Sequence, residues 1–139
     1  MKSMLAFTTA VIAFAAFLAY PAEDLDVAPA MTSAASWLAT MDRGEYGKGW
    51  DDAAATIKEA MPRLKWETTL DTVRRPLGGI VARKLRSATY ANNLPGAPEG
   101  EYVVIQYDTR FDNRPVAFET VTPMKEKDGT WRVSGYYIK

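Results

Sequence analysis

The chain has 139 residues, no cysteine, no histidine and a formal net charge of zero, with 17 basic and 17 acidic side chains. Without histidine or cysteine it cannot form a Ser-His-Asp triad, a Cys-His dyad, or an imidazole or thiolate site for zinc, copper or haem. We therefore expect no metal and no cofactor. A neutral chain is also a poor match to nucleic acid, so we expect no nucleic-acid partner.

The first residues of the chain predict export. Lys2 precedes an uncharged and mostly apolar run over residues 4–20, and the next charge is Glu23. A basic residue before an apolar stretch is the layout of a secretory signal. As a helix the run would span about 25 Å, slightly less than the ~30 Å hydrocarbon core of a bilayer. Residues 1–22 are therefore either a cleaved signal peptide or a retained membrane anchor outside the globular fold, and both place the domain in the periplasm or another extracytoplasmic compartment.

Residues 23–31 contain acids and a proline and are interpreted as a linker to a single domain over residues 32–139. Three amphipathic helices are predicted next: one from an N-cap at Ser33 to Gly44, one over residues 45–60, and one from Pro62 to the turn at Pro76. The large apolar residues expected where helices meet the sheet are Trp37, Trp50, Trp66 and Leu70.

From Ile80 onward the apolar period changes from helical spacing to two. Four strands are predicted, over residues 80–90, 101–111, 115–125 and 131–138. We expect an α+β fold in which the three N-terminal helices pack on one face of a four-stranded antiparallel sheet, with Phe118 and Val133 meeting the helices. Tyr136 and Tyr137 point to opposite faces of the last strand, so one of them should approach solvent.

Four segments carry a resemblance to a known family: W-L-A-T-M-D-R-G-E-Y-G-K-G-W (37–50), V-R-R-P-L-G (73–78), L-P-G-A-P-E-G-E-Y-V-V (94–104) and D-G-T-W-R-V-S-G-Y-Y-I (128–138). In this order they resemble an uncharacterised family of exported bacterial proteins, catalogued as domain of unknown function 4019. The resemblance implies one exported α+β domain and no assigned activity. Gly49 departs from the family, in which a serine precedes the tryptophan. The layout is also similar to the curved-sheet rolls of the nuclear-transport-factor-like and cystatin-like folds, which host unrelated functions.

Glu119 is the sharpest candidate for a functional residue. It lies between Ala117 and Val121 at i±2, so one carboxylate stands on an otherwise apolar strand face. A buried carboxylate needs a partner, or its pKa rises. We favour an ion pair with Arg74 or Arg83, and the functional alternative is a general acid/base or a ligand anchor in a roll cavity.

The segment Leu94–Gly100 is a second candidate, because two prolines stiffen a loop that presents Leu94 and Glu99 to a partner. Its alternative is a rigid connection between strands.

Asp51 and Asp52 are adjacent on a helix and point about 100° apart, so they do not form a catalytic pair.

Charge is unevenly distributed along the chain: residues 63–86 carry seven basic and two acidic side chains, whereas residues 23–59 carry eight acidic and three basic ones. This pattern indicates either an anionic partner or lipid surface, or, as we favour, two complementary surfaces of one domain.

The sequence favours a non-catalytic extracytoplasmic domain that binds a protein partner or assists a membrane complex, touching the membrane only through its N-terminal segment. The alternative is a pocketed roll that binds a small apolar or anionic ligand, with Glu119 or Arg83 at its mouth. An enzyme using carboxylate, tyrosine or lysine acid–base chemistry is the weakest hypothesis, and we assign no catalytic residue. An enclosed cavity with an ionisable group would favour the ligand, and an exposed apolar patch would favour the partner.

Overall fold

The computed structural model describes residues 22–139, with side chains from residue 27 onward. The predicted signal peptide or anchor therefore lies, except for its last residue, outside the described residues. Within that range, no helix combines the length and apolarity needed to cross a bilayer. The elements are α1 (Ala22–Asp42), α2 (Tyr46–Asp51), α3 (Ala55–Ala60), α4 (Arg63–Arg74), a 3₁₀ turn (Arg75–Leu77), β1 (Ile80–Ala91), β2 (Tyr102–Phe111), β3 (Arg114–Lys125) and β4 (Trp131–Ile138).

The four strands form one antiparallel sheet in the order β1-β2-β3-β4. Helices followed by an antiparallel sheet confirm the predicted α+β class. Strand β4 has the predicted bounds, and each end of the other three lies within one residue of its predicted position. This agreement follows from the two-residue alternation of apolar side chains, which only an extended strand with one buried face produces.

Residues 23–31, predicted as a linker, are helical in the structure and form the first turns of α1. Proline disfavours a helix interior, but Ala30 is fully buried in the core, and this burial holds the segment in place despite Pro29. Ser33 is consequently not an N-cap. Its hydroxyl donates to the carbonyl oxygen of Trp131 at 2.6 Å and ties α1 to β4.

The helix predicted over residues 45–60 is divided into α2 and α3. Ala53 and Ala54 between them are buried, and the backbone of Ala54 is extended, with φ −64° and ψ 155°. The amide of Ala54 donates to the carbonyl oxygen of Val133 at 2.8 Å. Because alanine side chains let the backbone approach β4 this closely, a contact with the sheet replaces helical pairing at this point, and the described chain has four α-helices instead of three.

The main core lies between α1 and the inner face of the sheet, and α1 contacts all four strands. Helix α2 packs on α1 and on α4. Trp37, Trp66 and Leu70 are buried members of this core cluster. Trp50 is only half-buried, and its indole donates to the carbonyl oxygen of Met61 at 2.8 Å.

The expectation that Phe118 meets the helices is wrong. Alternation along β3 puts Ala117 and Glu119 on the inner face, so Phe118 stands on the outer face and is 39% exposed. Val133 is buried as expected, and of the two adjacent tyrosines Tyr137 is the exposed one.

Two glycines of α2 allow a matched test of this packing. A Cβ at Gly49 would lie 2.5 Å from Sδ of the fully buried Met41, so we expect Gly49→Ala to lower the free energy of unfolding by about 1–3 kcal/mol. A Cβ at Gly47 would instead meet the flexible ends of Glu67 and Arg63, both at the surface. These ends can move, so Gly47→Ala should leave stability unchanged or raise it by up to about 1 kcal/mol through helix propensity.

Urea unfolding of the two variants measures the difference. Equal effects at both positions would contradict the close contact between α2 and α1.

Candidate functional site

Four charged side chains from four separate elements meet at one end of the core. Asp42 is the last residue of α1, Arg74 is the last residue of α4, Arg83 lies in β1, and Glu119 lies in β3. We call them the four-charge cluster. Two arginines and two carboxylates balance each other, which a site removed from water requires.

Glu119 is fully buried, and both of its carboxylate oxygens are occupied. Oε1 accepts from Arg83 Nε at 2.7 Å and from the hydroxyl of Thr109 at 2.6 Å. Oε2 accepts from Arg83 Nη2 at 3.2 Å and from the hydroxyl of Tyr136. The predicted pair of Glu119 with Arg83 is therefore present, and the carboxylate turns no oxygen toward solvent.

Asp42 was not singled out by the sequence analysis, although it is the second anion of the cluster. It accepts from Arg83 Nη1 at 2.8 Å and Nη2 at 3.0 Å, and from Arg74 Nη2 at 2.9 Å. A carboxylate at a helix C-terminus is disfavoured by the helix dipole, so its position there needs cations nearby. That mismatch, an acid in the last turn of a predicted helix, is the signal in the sequence that could have identified it.

The two arginines have different roles. Arg83 joins both carboxylates, and its planar guanidinium donates four hydrogen bonds to them. Arg74 bonds Asp42, donates to the hydroxyl of Tyr136 at 3.2 Å, and lies 5.1 Å from the ring centre of Phe111. Its Nε is buried without a hydrogen-bond partner among the described residues. Arg74 is thus linked to Glu119 indirectly, through Tyr136 and through Asp42 and Arg83.

The pKa values of Asp42 and of Tyr136, which bonds the cluster, are shifted in opposite directions. Burial alone would raise the pKa of Asp42, but hydrogen bonds from Arg83 and Arg74 outweigh it and lower that pKa below 3.8. Burial, together with the charge of Glu119, raises the pKa of the Tyr136 phenol well above its usual range. At neutral pH Asp42 is an anion and Tyr136 is a hydrogen-bond donor.

The other candidate residues lie elsewhere. Leu94 is half-buried and Glu99 is exposed, and Glu99 lines an open groove of about 560 Å³ beside α3 and the β3–β4 turn. Asp51 bonds Arg63 at 3.0 Å and Asp52 bonds Lys48 at 2.6 Å, so the two acids have separate partners. In residues 22–139, no three His, Cys, Asp or Glu side chains are grouped so that they could hold a metal ion.

The outer face of the sheet carries a second feature that sequence reasoning missed. Val116, Phe118 and Tyr137 are 69%, 39% and 52% exposed, and we call them the outer patch. The guanidinium of Arg86 lies 5.2 Å from the ring centre of Phe118. The sequence of β3 contained the signal for this patch. The strand has apolar residues at both odd and even positions, so apolar side chains face both sides of the sheet.

Removing the buried carboxylate should be costly. We expect Glu119→Ala to lower the free energy of unfolding by about 3–5 kcal/mol, because Arg83 then keeps a buried charge with one partner instead of two. Asp71→Ala, which breaks the exposed pair with Arg75, is the control and should cost less than about 1 kcal/mol. Similar losses in chemical unfolding would contradict the importance of the cluster.

Asp42 should make the free energy of unfolding fall at acid pH. Since its folded pKa lies below the unfolded value of 3.8, its contribution is complete above that value and is lost as the pH falls through the folded pKa. The difference in unfolding free energy between the native chain and Asp42→Asn should therefore be largest near neutral pH and shrink toward pH 3. A difference that stayed constant over this range would show that Asp42 gains nothing from its arginines.

Comparison with known proteins places these features in a family. A family model described as a protein of unknown function (DUF4019) matches residues 33–136, which include the C-terminal part of α1, with Asp42, and the strands that hold Arg83 and Glu119. No curated protein and no solved structure matches the chain. The match covers well over half of the sequence and agrees with the resemblance seen in its motifs. The chain belongs to the DUF4019 family.

Proposed function

We propose that this protein is a non-catalytic extracytoplasmic domain that binds a partner protein through the outer face of its sheet. The observation that carries the proposal is the outer patch, in which three large apolar side chains on two neighbouring strands are exposed together. Scattered exposed apolar residues are common, but a group of them on one flat surface is typical of an interaction site.

The hydrogen bonding of the buried Glu119 supports a non-catalytic role. Glu119 is the most deeply buried acid of the described chain, and its oxygens already accept hydrogen bonds from Arg83, Thr109 and Tyr136. A general base or a ligand anchor needs an oxygen within reach of a substrate. The alternative of a ligand-binding roll built around Glu119 therefore has less support than partner binding.

The charges around the outer patch favour a different protein over a second copy of this chain. Lys84, Arg110 and the carboxylate of Asp108 line a groove together with Val116 and Phe118, and Arg86 lies over the ring of Phe118. Two copies packed through this face would bring like charges together, which costs binding energy. An apolar, aromatic centre with arginine at its border is the usual composition of an interface between proteins.

The predicted location fits this role. The basic and apolar composition of residues 1–22 predicts an export signal or anchor, and the absence of cysteine suits a domain held together by packing. If the anchor is retained, the domain stays close to membrane complexes, and the partner is one of them or another extracytoplasmic protein.

Photo-crosslinking in the native membrane and soluble fractions tests the proposal. A photo-reactive phenylalanine derivative replaces Val116, Phe118 or Tyr137 in the full chain, and the same group at Leu64 of α4, which is 74% exposed, is the control. We expect one protein, identified by mass spectrometry, to be crosslinked at the outer patch and not at position 64.

Affinity for that purified protein is then measured. Phe118→Asp should weaken binding by about tenfold or more, whereas Leu64→Asp should change it less than about twofold, with both variants folded. Equal crosslinking at all four positions, or binding that Phe118→Asp leaves unchanged, would overturn the proposed function.

A further inference from the structure

A shallow groove of about 520 Å³ crosses strands β1, β2 and β3 on the outer face, next to the outer patch. We call it the cationic groove. The side chains that matter for its chemistry are Ala82, Lys84, Asp108, Arg110, Val116 and Phe118. Val116 and Phe118 thus belong both to the outer patch and to the wall of the groove.

The cations of this groove have no carboxylate partner in the described chain. Arg63, Arg74 and Arg83 each form ion pairs within 4.0 Å, but neither Lys84 nor Arg110 has a carboxylate at that distance among residues 27–139. Both side chains are exposed. Their charge is therefore available to a group from outside the domain.

Asp108 reduces this positive charge without cancelling it. It lies opposite Lys84 in the pairing of β1 with β2 and opposite Phe118 in the pairing of β2 with β3, so it belongs to the same surface. Arg86, above the ring of Phe118, adds a third cation beside the groove. These three cations and the one carboxylate carry a net charge of +2 in a chain whose total formal charge is zero.

We infer that the cationic groove binds an acidic segment of the partner protein, in which carboxylates flank an apolar side chain. This inference rests on the proposed function and names the partner's chemistry. The guanidinium of Arg110 can bind a carboxylate through two parallel hydrogen bonds, and Lys84 supplies a second cation on the neighbouring strand. Val116 and Phe118 pack against the apolar side chain between the two carboxylates.

A protein segment fits this surface better than an anionic membrane does. Side chains that anchor a protein in a bilayer insert several ångströms into the acyl boundary. Phe118 stands on the face of a sheet with the guanidinium of Arg86 over its ring, so it is not free to insert. An extended acidic segment can instead lie along the groove.

The test uses a fluorescent peptide as the probe, with the full chain held in nanodiscs of zwitterionic lipid. The acidic peptide is Glu-Asp-Leu-Phe-Asp-Glu, and its neutral counterpart replaces the acids by Gln and Asn. By fluorescence anisotropy we expect the acidic peptide to bind at least about tenfold more tightly, and its binding to weaken as NaCl rises from 50 to 500 mM. Equal binding of the two peptides would overturn the inference.

Charge reversal of residues in the cationic groove tests whether the acidic peptide binds there. The double variant Lys84→Glu with Arg110→Glu should weaken binding of the acidic peptide by about tenfold or more. The control, Lys65→Glu with Lys127→Glu, makes the same change in net charge at exposed positions away from the groove and should alter binding less than about twofold. Equal losses in both double variants would mean that only total charge matters, and would overturn the inference.

Two further outcomes separate this inference from the proposed function and from lipid binding. If the crosslinked protein is released by Phe118→Asp but not by the charge reversal, the proposed function stands and the acidic segment is wrong. If vesicles with 30% phosphatidylserine bind the chain and displace the peptide, whereas zwitterionic vesicles do not, the groove is a lipid-binding surface and the inference is wrong.

Discussion

The guanidinium of Arg83 bonds one carboxylate from the helical layer and one from the sheet, and this double pairing fixes how α1 lies across the strands. Asp42 holds the C-terminal end of α1, and Glu119 holds the centre of β3. Thr109 of β2 and Tyr136 of β4 complete the hydrogen bonds, so all four strands contribute to one network. Buried ion pairs add little net stability, because desolvation offsets their attraction. What the pairing of Arg83 with its two carboxylates adds is orientation, because it holds α1 at one position on the sheet.

The two faces of β3 have opposite surroundings. On the inner face Glu119 sits between Ala117 and Val121 and is held by the cluster; on the outer face Val116 and Phe118 are exposed. Because both sets of side chains share one backbone, the hydrogen bonds that hold Glu119 also hold the strand that presents Phe118. A surface on a rigid strand binds with less loss of conformational entropy than one on a mobile loop. The interior network therefore holds the outer face of β3 in one conformation, which suits the partner binding that we propose for it.

The sequence predicted the strands closely and the helices less well, for physical reasons that differ between elements. A strand with one buried face shows its period directly, whereas the break between α2 and α3 depends on Ala54 pairing with Val133, a contact that no local pattern contains. The helical character of residues 23–31 was missed because a proline was given more weight than the burial of Ala30. Glu119 was found because an acid on an apolar face needs a partner. The choice between Arg74 and Arg83 required the register of β1 against β2 and β3.

The order of elements along the chain has a consequence for folding. α1 comes first, but some of the residues on which it packs come last: Ser33 bonds Trp131 across 98 positions, and the ring of Trp37 meets that of Tyr136 at 5.2 Å. Such long-range contacts cannot form until nearly the whole chain is available, so closure of the core is a late and slow event. In a chain that emerges from its N-terminus, the core on α1 therefore stays incomplete until β4 arrives. Late closure fits the export that we propose for this chain, in which the polypeptide would cross a membrane before it folds.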